Sequence, residues 1–203
     1  MIPSKIVLAS NNAGKLKEFS AIFSTIDIAI VPQGELGVSE ADEPFATFVE
    51  NALAKARHAS LHTGLPALAD DSGLCVNSLH GAPGVFSARY AWMSGDEKSD
   101  QANNAHLIKT LAPHADRSAC YVALLVYVSS ADDPRPVIAE GVWNGEIIDT
   151  PQGANGFGYD AHFYLPDLGK TAAQLDPAEK NRQSHRGKAL HKLVQALKER
   201  DSI

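Results

Sequence analysis

The stretch Gly64-Leu65-Pro66-Ala67-Leu68-Ala69-Asp70-Asp71-Ser72-Gly73 places two adjacent carboxylates at the end of a short apolar run. The length of that run and the glycine ahead of it predict a strand from Leu65 to Ala69, with a turn following. Side chains alternate between the faces of a strand, so at most one of Asp70 and Asp71 can turn inward while the other faces a cleft. A buried carboxylate is costly unless something positive lies nearby. Mg²⁺ held by oxygen ligands would be such a partner, because that ion takes one or two protein carboxylates together with substrate phosphates. An Asp-Ser-Gly turn with self-bonded side chains explains the same residues equally well.

Outward from this stretch, strand and helix patterns alternate. Lys5 to Ala9 reads as a buried strand, Lys15 to Ile26 as a helix carrying Leu16, Phe19, Ile22, Phe23 and Ile26, and Ile28 to Val31 as a second strand. Phe45 to Leu61 predicts a longer helix. Its apolar stripe is Phe45, Phe48, Val49, Ala52, Leu53, Ala56 and Ala59, with Glu50, Lys55 and Arg57 off it. Further on, strands are expected at Leu74 to Leu79, Ala119 to Ser129 and Pro136 to Ile148, the last with a turn at Asn144-Gly145, and a helix at Lys98 to Leu111. Gly153 to Gly158 must be a loop. Asp176-Pro177-Ala178-Glu179 supplies a capping acid, a proline at the first helical position and a glutamate at the third, so a helix starts there. A final amphipathic helix carries Leu190, Leu193, Val194 and Leu197. The alternation gives the class α/β with a mixed sheet.

Composition bounds the function. The chain has 203 residues and 44% hydrophobic content, enough for one sizeable core, so residues 1–203 are read as a single domain. Cys75 and Cys120 are the only cysteines and form no redox or zinc pattern, which fits a reducing compartment. No apolar run approaches membrane-spanning length, and the first ten residues lack a signal-peptide core, so no membrane is expected and the cytoplasm is the default location. The net charge is −6, but residues 170–200 hold eight Lys/Arg against three Asp/Glu, a local +5 that leaves −11 elsewhere. An acidic chain is a poor nonspecific binder of nucleic acid, whereas a local basic segment can serve one small polyanion or simply be a solvated helix.

Four further segments bear chemistry. Ser10-Asn11-Asn12-Ala13-Gly14-Lys15 joins the first strand to the first helix, where unpaired N–H groups and the helix dipole favour a phosphate. It is not a Walker loop, and an ordinary helix cap explains Asn12-Ala13-Gly14 nearly as well. Glu43 precedes the long helix, where the dipole favours an acid without any function; it could equally be a metal ligand opposite Asp71. Gly153-Ala154-Asn155-Gly156-Phe157-Gly158-Tyr159-Asp160 sets aromatics between glycines, so that a flat ring can be offered for stacking. Lys180 with Ser184-His185-Arg186-Gly187 could bind phosphate and the polar edge of a base. Taken singly, each of these could be a surface cluster, and Phe157 could be core.

Together the blocks resemble one family. Ser10 to Lys15, Thr47-Phe48-Val49-Glu50-Asn51-Ala52, Ala69 to Gly73, Gly81-Ala82-Pro83-Gly84 with Ser87-Ala88-Arg89-Tyr90, Gly156 to Asp160, Lys170-Thr171-Ala172 and Ser184-His185-Arg186 look like the inosine/xanthosine triphosphate pyrophosphatases, in order and across nearly the whole chain. The resemblance implies hydrolysis of ITP, dITP and XTP to monophosphate and pyrophosphate, with Mg²⁺ as cofactor and a homodimer as the usual assembly. It also implies an elongated α/β fold, with a long mixed sheet and a nucleotide cleft between two lobes. By the family pattern, Ser10, Asn11, Asn12, Ala13, Gly14, Lys15, Ser72 and Lys180 hold the triphosphate. Phe157 stacks on the base, Gly158, Tyr159 and Asp160 complete that wall, and His185 and Arg186 contact the keto-bearing edge. Asp71 resembles the general base, with Glu43 and Asp70 or Asp71 near the metal. Asn77 and His80 stand where the family often has Asp and Gly, and Ala161-His162 replaces a commoner proline-led segment.

The chemistry this implies is demanding. A triphosphate carries about four negative charges, which must be neutralised while water attacks the α-phosphorus and pyrophosphate leaves. Two other readings remain open on sequence: a pyrophosphatase for other modified nucleotides, and a nucleotide-sensing module without turnover. The carboxylate pair argues against the sensor, since two such charges repel a triphosphate unless a metal mediates.

Overall fold

The computed structural model describes residues 4–23 and 28–200. Its seven strands are β1 (Lys5–Leu8), β2 (Ala29–Pro32), β3 (Ala67–Val76), β4 (Ser118–Val128), β5 (Val137–Ile147), β6 (Phe163–Leu165) and β7 (Lys170–Thr171). The helices are α1 (Ala13–Phe23), α2 (Phe48–Thr63), α3 (Asp100–Leu111), α4 (Pro177–Gln183) and α5 (His185–Arg200). The strands form one sheet in the order β2-β1-β3-β4-β5-β6-β7. β1 is parallel to both β2 and β3, whereas β6 is antiparallel to β5 and β7, so the sheet is mixed and the α/β class holds.

The chain packs as two compact units, and β3, β4 and β5 contribute residues to both. The first comprises residues 1–71, 123–141 and 186–203. Alternation along its strands creates two apolar layers. On one face Ile6, Leu8, Leu68 and Leu125 pack with Phe19 and Phe23 of α1 and Leu190, Leu193 and Leu197 of α5. On the other, Val7, Ala67, Ala69 and Val126 meet Ala52, Ala56 and Ala59 of α2, whose small side chains make that face of the helix nearly flat. The parity of β3 therefore sends Asp70, two residues after Leu68, to the α1/α5 face and Asp71, two after Ala69, to the α2 face.

The second unit comprises residues 72–122 and 142–185. Its core joins Leu74 and Val76 of β3, Leu107 and Leu111 of α3, Tyr121 of β4, Trp143 and Ile147 of β5, and Phe163. The helix starts follow the expected capping chemistry. Thr47 accepts from the Glu50 N–H, Ser99 from that of Ala102, and Asp176 from that of Glu179 with Pro177 next.

Several expectations are corrected. No turn follows Asp71: β3 runs on through Ser72-Gly73 to Val76, merging the two strands expected at Leu65 to Ala69 and Leu74 to Leu79, and Asn77–Leu79 is a 3₁₀ turn. Gly73 is needed for space. A Cβ there would collide with the carbonyl oxygen of Gly84 and lie 2.6 Å from Ser87 Oγ. β5 likewise continues through Asn144-Gly145, because a Cβ on Gly145 would lie 2.6 Å from the Tyr164 carbonyl and 2.7 Å from the Phe163 ring. The α2 helix starts at Phe48, and Phe45 is exposed ahead of it. Ile26, placed on the first predicted helix, lies outside the described residues.

Candidate active site

In the first unit, β3 delivers its two carboxylates into different charge environments. Asp70, 1% exposed, receives Lys15 Nζ at 2.7 Å and Arg186 Nε at 3.3 Å on its Oδ2. Arg186 Nη1 also meets Glu18 Oε2 at 2.9 Å. Burial alone would raise the pKa of Asp70, but Lys15 and Arg186 outweigh it and hold the carboxyl far below the usual range. Arg186 is in turn pushed up by Asp70 and Glu18 against its own burial.

Asp71, on the opposite face of β3, shares Lys55 with Glu43. Lys55 Nζ, projected from α2, lies 2.8 Å from Asp71 Oδ1, 2.7 Å from Glu43 Oε1 and 2.9 Å from the Asp70 carbonyl oxygen. Asn51, one helical turn before Lys55, reaches Asp71 Oδ2 with its Nδ2 at 3.4 Å. The same amide brackets Phe45, donating to its carbonyl and accepting its N–H at 3.1 Å each, which ties the segment carrying Glu43 to α2. Burial raises the Asp71 pKa, Lys55 opposes it, and the neighbouring Glu43 charge adds to the rise; the net shift is upward. Lys55 is itself raised, burial being overcome by Asp71 and Glu43.

Three oxygens, two of them from carboxylates, thus converge on one ammonium. That donor set is hard and anionic, as Mg²⁺ requires, so Glu43 and Asp71 fit such an ion. The Asp70 carboxylate does not join them, being engaged by Lys15 and Arg186 on the other face.

The loop before α1 has the form of a cap. The Ser10 hydroxyl accepts the Asn12 N–H at 3.2 Å, and Asn12 Oδ1 accepts the Lys15 N–H at 3.0 Å. Asn11 packs on Gly34, where a Cβ would lie 2.7 Å from its Oδ1. Ala13 and Gly14 open α1, and this turn aims Lys15 at Asp70.

In the second unit the predicted residues form another constellation. Phe157 is 38% exposed, flanked by Gly156 and Gly158, whose φ values are +79° and +62°. Asp160 Oδ2 accepts the Phe157 N–H at 2.9 Å and binds Lys180 Nζ at 2.7 Å, and that ammonium lies 5.0 Å from the centre of the Phe157 ring. Tyr159 belongs to the interior, its hydroxyl donating to the Ser87 carbonyl at 2.8 Å; burial, with Tyr90 and Asp100 nearby, pushes its pKa well up. The buried His185 ring lies nearly parallel to Tyr121, 4.7 Å away and 9° from coplanar, with Trp143 beyond. Ser72 is half-buried, one residue past Asp71 on β3.

Sequence reading missed Lys55, Asn51 and Glu18. The Asn51/Lys55 spacing of four residues, one face of a helix, is the signal that could have found the first two. Lys180 was assigned to the triphosphate, and the structure groups it with Phe157 and Asp160. Among the described residues no helix is long and apolar enough to cross a membrane.

A profile described as the Ham1 family matches residues 6–196. The chain is 69% identical over 196 residues to a Burkholderia pseudomallei protein named dITP/XTP pyrophosphatase, covering 97% of this chain and 94% of the relative. A Nitrosomonas europaea protein of the same name is 60% identical, covering 98% and 97%. Among solved structures, a HAM1 protein from Coxiella burnetii superposes with a TM-score of 0.89 at 48% identity, covering 96% of this chain and 98% of that one.

Proposed function

Because the chain belongs to the Ham1 family, we infer that it is a nucleoside triphosphate pyrophosphatase, hydrolysing the deaminated purine nucleotides ITP, dITP and XTP to monophosphate and pyrophosphate. The observation that carries the chemical reading is the pair of opposed environments around Asp70 and Asp71. In this reading residues 1–203 act as one catalytic domain, working in the cytoplasm as a homodimer.

Asp71 is the general base toward the attacking water. Its raised pKa makes it a stronger base than an ordinary aspartate. Glu43 and Asp71 would hold Mg²⁺, which when bound supplies charge neutralisation at the phosphates and polarises a phosphoryl oxygen. Lys15 and Lys55 meet the phosphate charge from the two faces of β3, and Ser10 to Gly14 offer backbone N–H groups at the start of α1. Ser72 and Lys180 add a hydroxyl and a third ammonium. The carboxylate of Asp70 anchors Lys15 and Arg186.

The base end falls to the second constellation. The open ring of Phe157 stacks on a purine, Gly158 to Asp160 shape the loop, and the His185 ring is fixed in orientation by Tyr121. His185 and Arg186 donate to the 6-keto edge. A guanidinium has five N–H donors. Adenine, presenting an amino group there, leaves the donors unmatched, a mismatch worth on the order of 10⁴-fold.

A panel of nucleoside triphosphates, with products separated chromatographically, tests this. ITP and XTP should give monophosphate plus pyrophosphate far faster than ATP does. Equal rates for ATP and ITP, or release of diphosphate and phosphate, would overturn it. Omitting Mg²⁺ should abolish turnover, and sedimentation should give twice the monomer mass.

A further inference from the structure

The ring of Phe157 is 38% exposed with the Lys180 ammonium 5.0 Å from its centre, and its backbone lies between two glycines in the left-handed region. Glycine visits both signs of φ at similar cost, so such a segment keeps one conformation only where other groups hold it. Asp160 takes the N–H of Phe157 itself. The next peptide groups are held from α3. Asp100 Oδ2 accepts the Gly158 N–H at 2.7 Å, and Asn104 Nδ2 donates to the Gly158 carbonyl at 2.9 Å. Residues four apart lie on one face of a helix, so the acceptor and the donor of this clamp are presented together.

We propose that Asp100 and Asn104 are positioning residues for base recognition: by fixing both polar groups of Gly158 they set the direction in which Phe157 presents its ring. The proposal rests on the reading of Phe157 as the stacking surface. An acid in the first turn of α3 is favoured by the helix dipole whatever its role. The dipole does not account for a bond to a loop 58 residues away, nor for an amide one turn later that closes the pair on the same residue. The chemistry is also matched in sign, since a carboxylate can only accept and must face an N–H, whereas the amide offers N–H groups to a carbonyl.

The experiment is a double-mutant cycle with Phe157, read as KM and kcat for ITP. Asn104→Asp keeps shape but sets a carboxylate against the Gly158 carbonyl, and Asp100→Ala removes the acceptor; either should raise KM about tenfold, the effect of losing one hydrogen bond, with kcat changed less than about twofold. Asp100→Asn keeps an acceptor oxygen and should restore KM to within about threefold of the parent. In a Phe157→Ala background Asn104→Asp and Asp100→Ala should change KM by less than about twofold, because the ring they direct is gone. Equal losses in both backgrounds would overturn the clamp while leaving stacking intact, and so would an unchanged KM in the parent. If Phe157→Ala itself leaves ITP kinetics unchanged, the stacking reading falls and the clamp with it. Thermal melting accompanies each variant; if Asn104→Asp fails to fold, the Asp100→Ala and Asp100→Asn pair decides on the same criteria.

Discussion

Asp70 and Asp71 are neighbours on one strand and equal in chemistry, yet the two faces of β3 treat them oppositely. The α1/α5 face gives Asp70 Lys15 and Arg186, and Arg186 also meets Glu18. The α2 face gives Asp71 Lys55 and makes it share that cation with Glu43. Both carboxyls are desolvated, so the sign of each pKa shift is decided by local charge balance, downward for Asp70 and upward for Asp71. An over-compensated carboxylate suits an anchor and an under-compensated one suits a base, so in the proposed mechanism alternation along a strand divides structure from chemistry between adjacent residues.

The largest effect that can break this contrast is catalytic. Asp71→Asn keeps shape and removes the base, so kcat for ITP should fall by about 10²–10⁴-fold with the fold retained by circular dichroism. Near-normal turnover in that variant would remove Asp71 from the mechanism.

Asp70→Asn should do the reverse, costing stability ahead of chemistry. It takes the Asp70 charge away from the buried Arg186, which keeps Glu18, and from the half-buried Lys15, at about 3–5 kcal/mol in urea denaturation at neutral pH. The pH dependence has a defined sign. The folded-state pKa is depressed, so the stabilisation is present above the unfolded value of about 3.9 and is lost as pH falls through the folded value. The gap between parent and variant should therefore narrow in acid, and a constant gap would mean that Asp70 acts through shape rather than charge.

The parity that creates this division was legible in the sequence. The alternation of Leu68, Ala69, Asp70 and Asp71 shows that the two carboxylates must part, and the capping residues Asp176 and Pro177 mark a helix start. The charge partners were not legible. Arg186 lies 116 residues from Asp70 and Lys55 lies 16 from Asp71, separations fixed by topology alone. The expectation that one carboxylate turns inward while the other faces a cleft gave way to burial of both for the same reason, since each has cations at hand. The glycines misled differently. Gly73 and Gly145 read as turns, but each marks a close approach of neighbouring chain to a continuous strand, a contact invisible until that neighbour is placed.

A third way to sharpen the contrast uses pH and activity together. With Asp71 as base, the acid limb of kcat/KM for ITP should lie above the ordinary aspartate value of about 3.9, because the free-enzyme pKa is raised. Lys55→Met removes the nearest cation opposing the rise and should move the limb to higher pH. Glu43→Gln removes a neighbouring negative charge and should move it to lower pH, whatever it does to the plateau. Shifts in the opposite directions would show that another group controls the limb.

The smallest effect belongs to Asn51, which touches the Asp71 side of the strand without altering its charge. Its contact to Asp71 Oδ2 at 3.4 Å is long and weak, whereas its two contacts to the Phe45 backbone at 3.1 Å are ordinary hydrogen bonds within a site 1% exposed. Asn51→Ala should therefore destabilise by about 1–3 kcal/mol through the stranded Phe45 groups. Its kcat should drop only a few-fold, since a bond of that length contributes little to holding Asp71. Asn51→Asp is the sharper variant. It keeps an acceptor for the Phe45 N–H but places a third carboxylate on the cation that Asp71 and Glu43 already share, so the acid limb should move up in pH while that of Asn51→Ala stays near the parent. If Asn51→Ala instead costs as much kcat as Asp71→Asn, charge balance on the α2 face is not what makes Asp71 the reactive member of the pair.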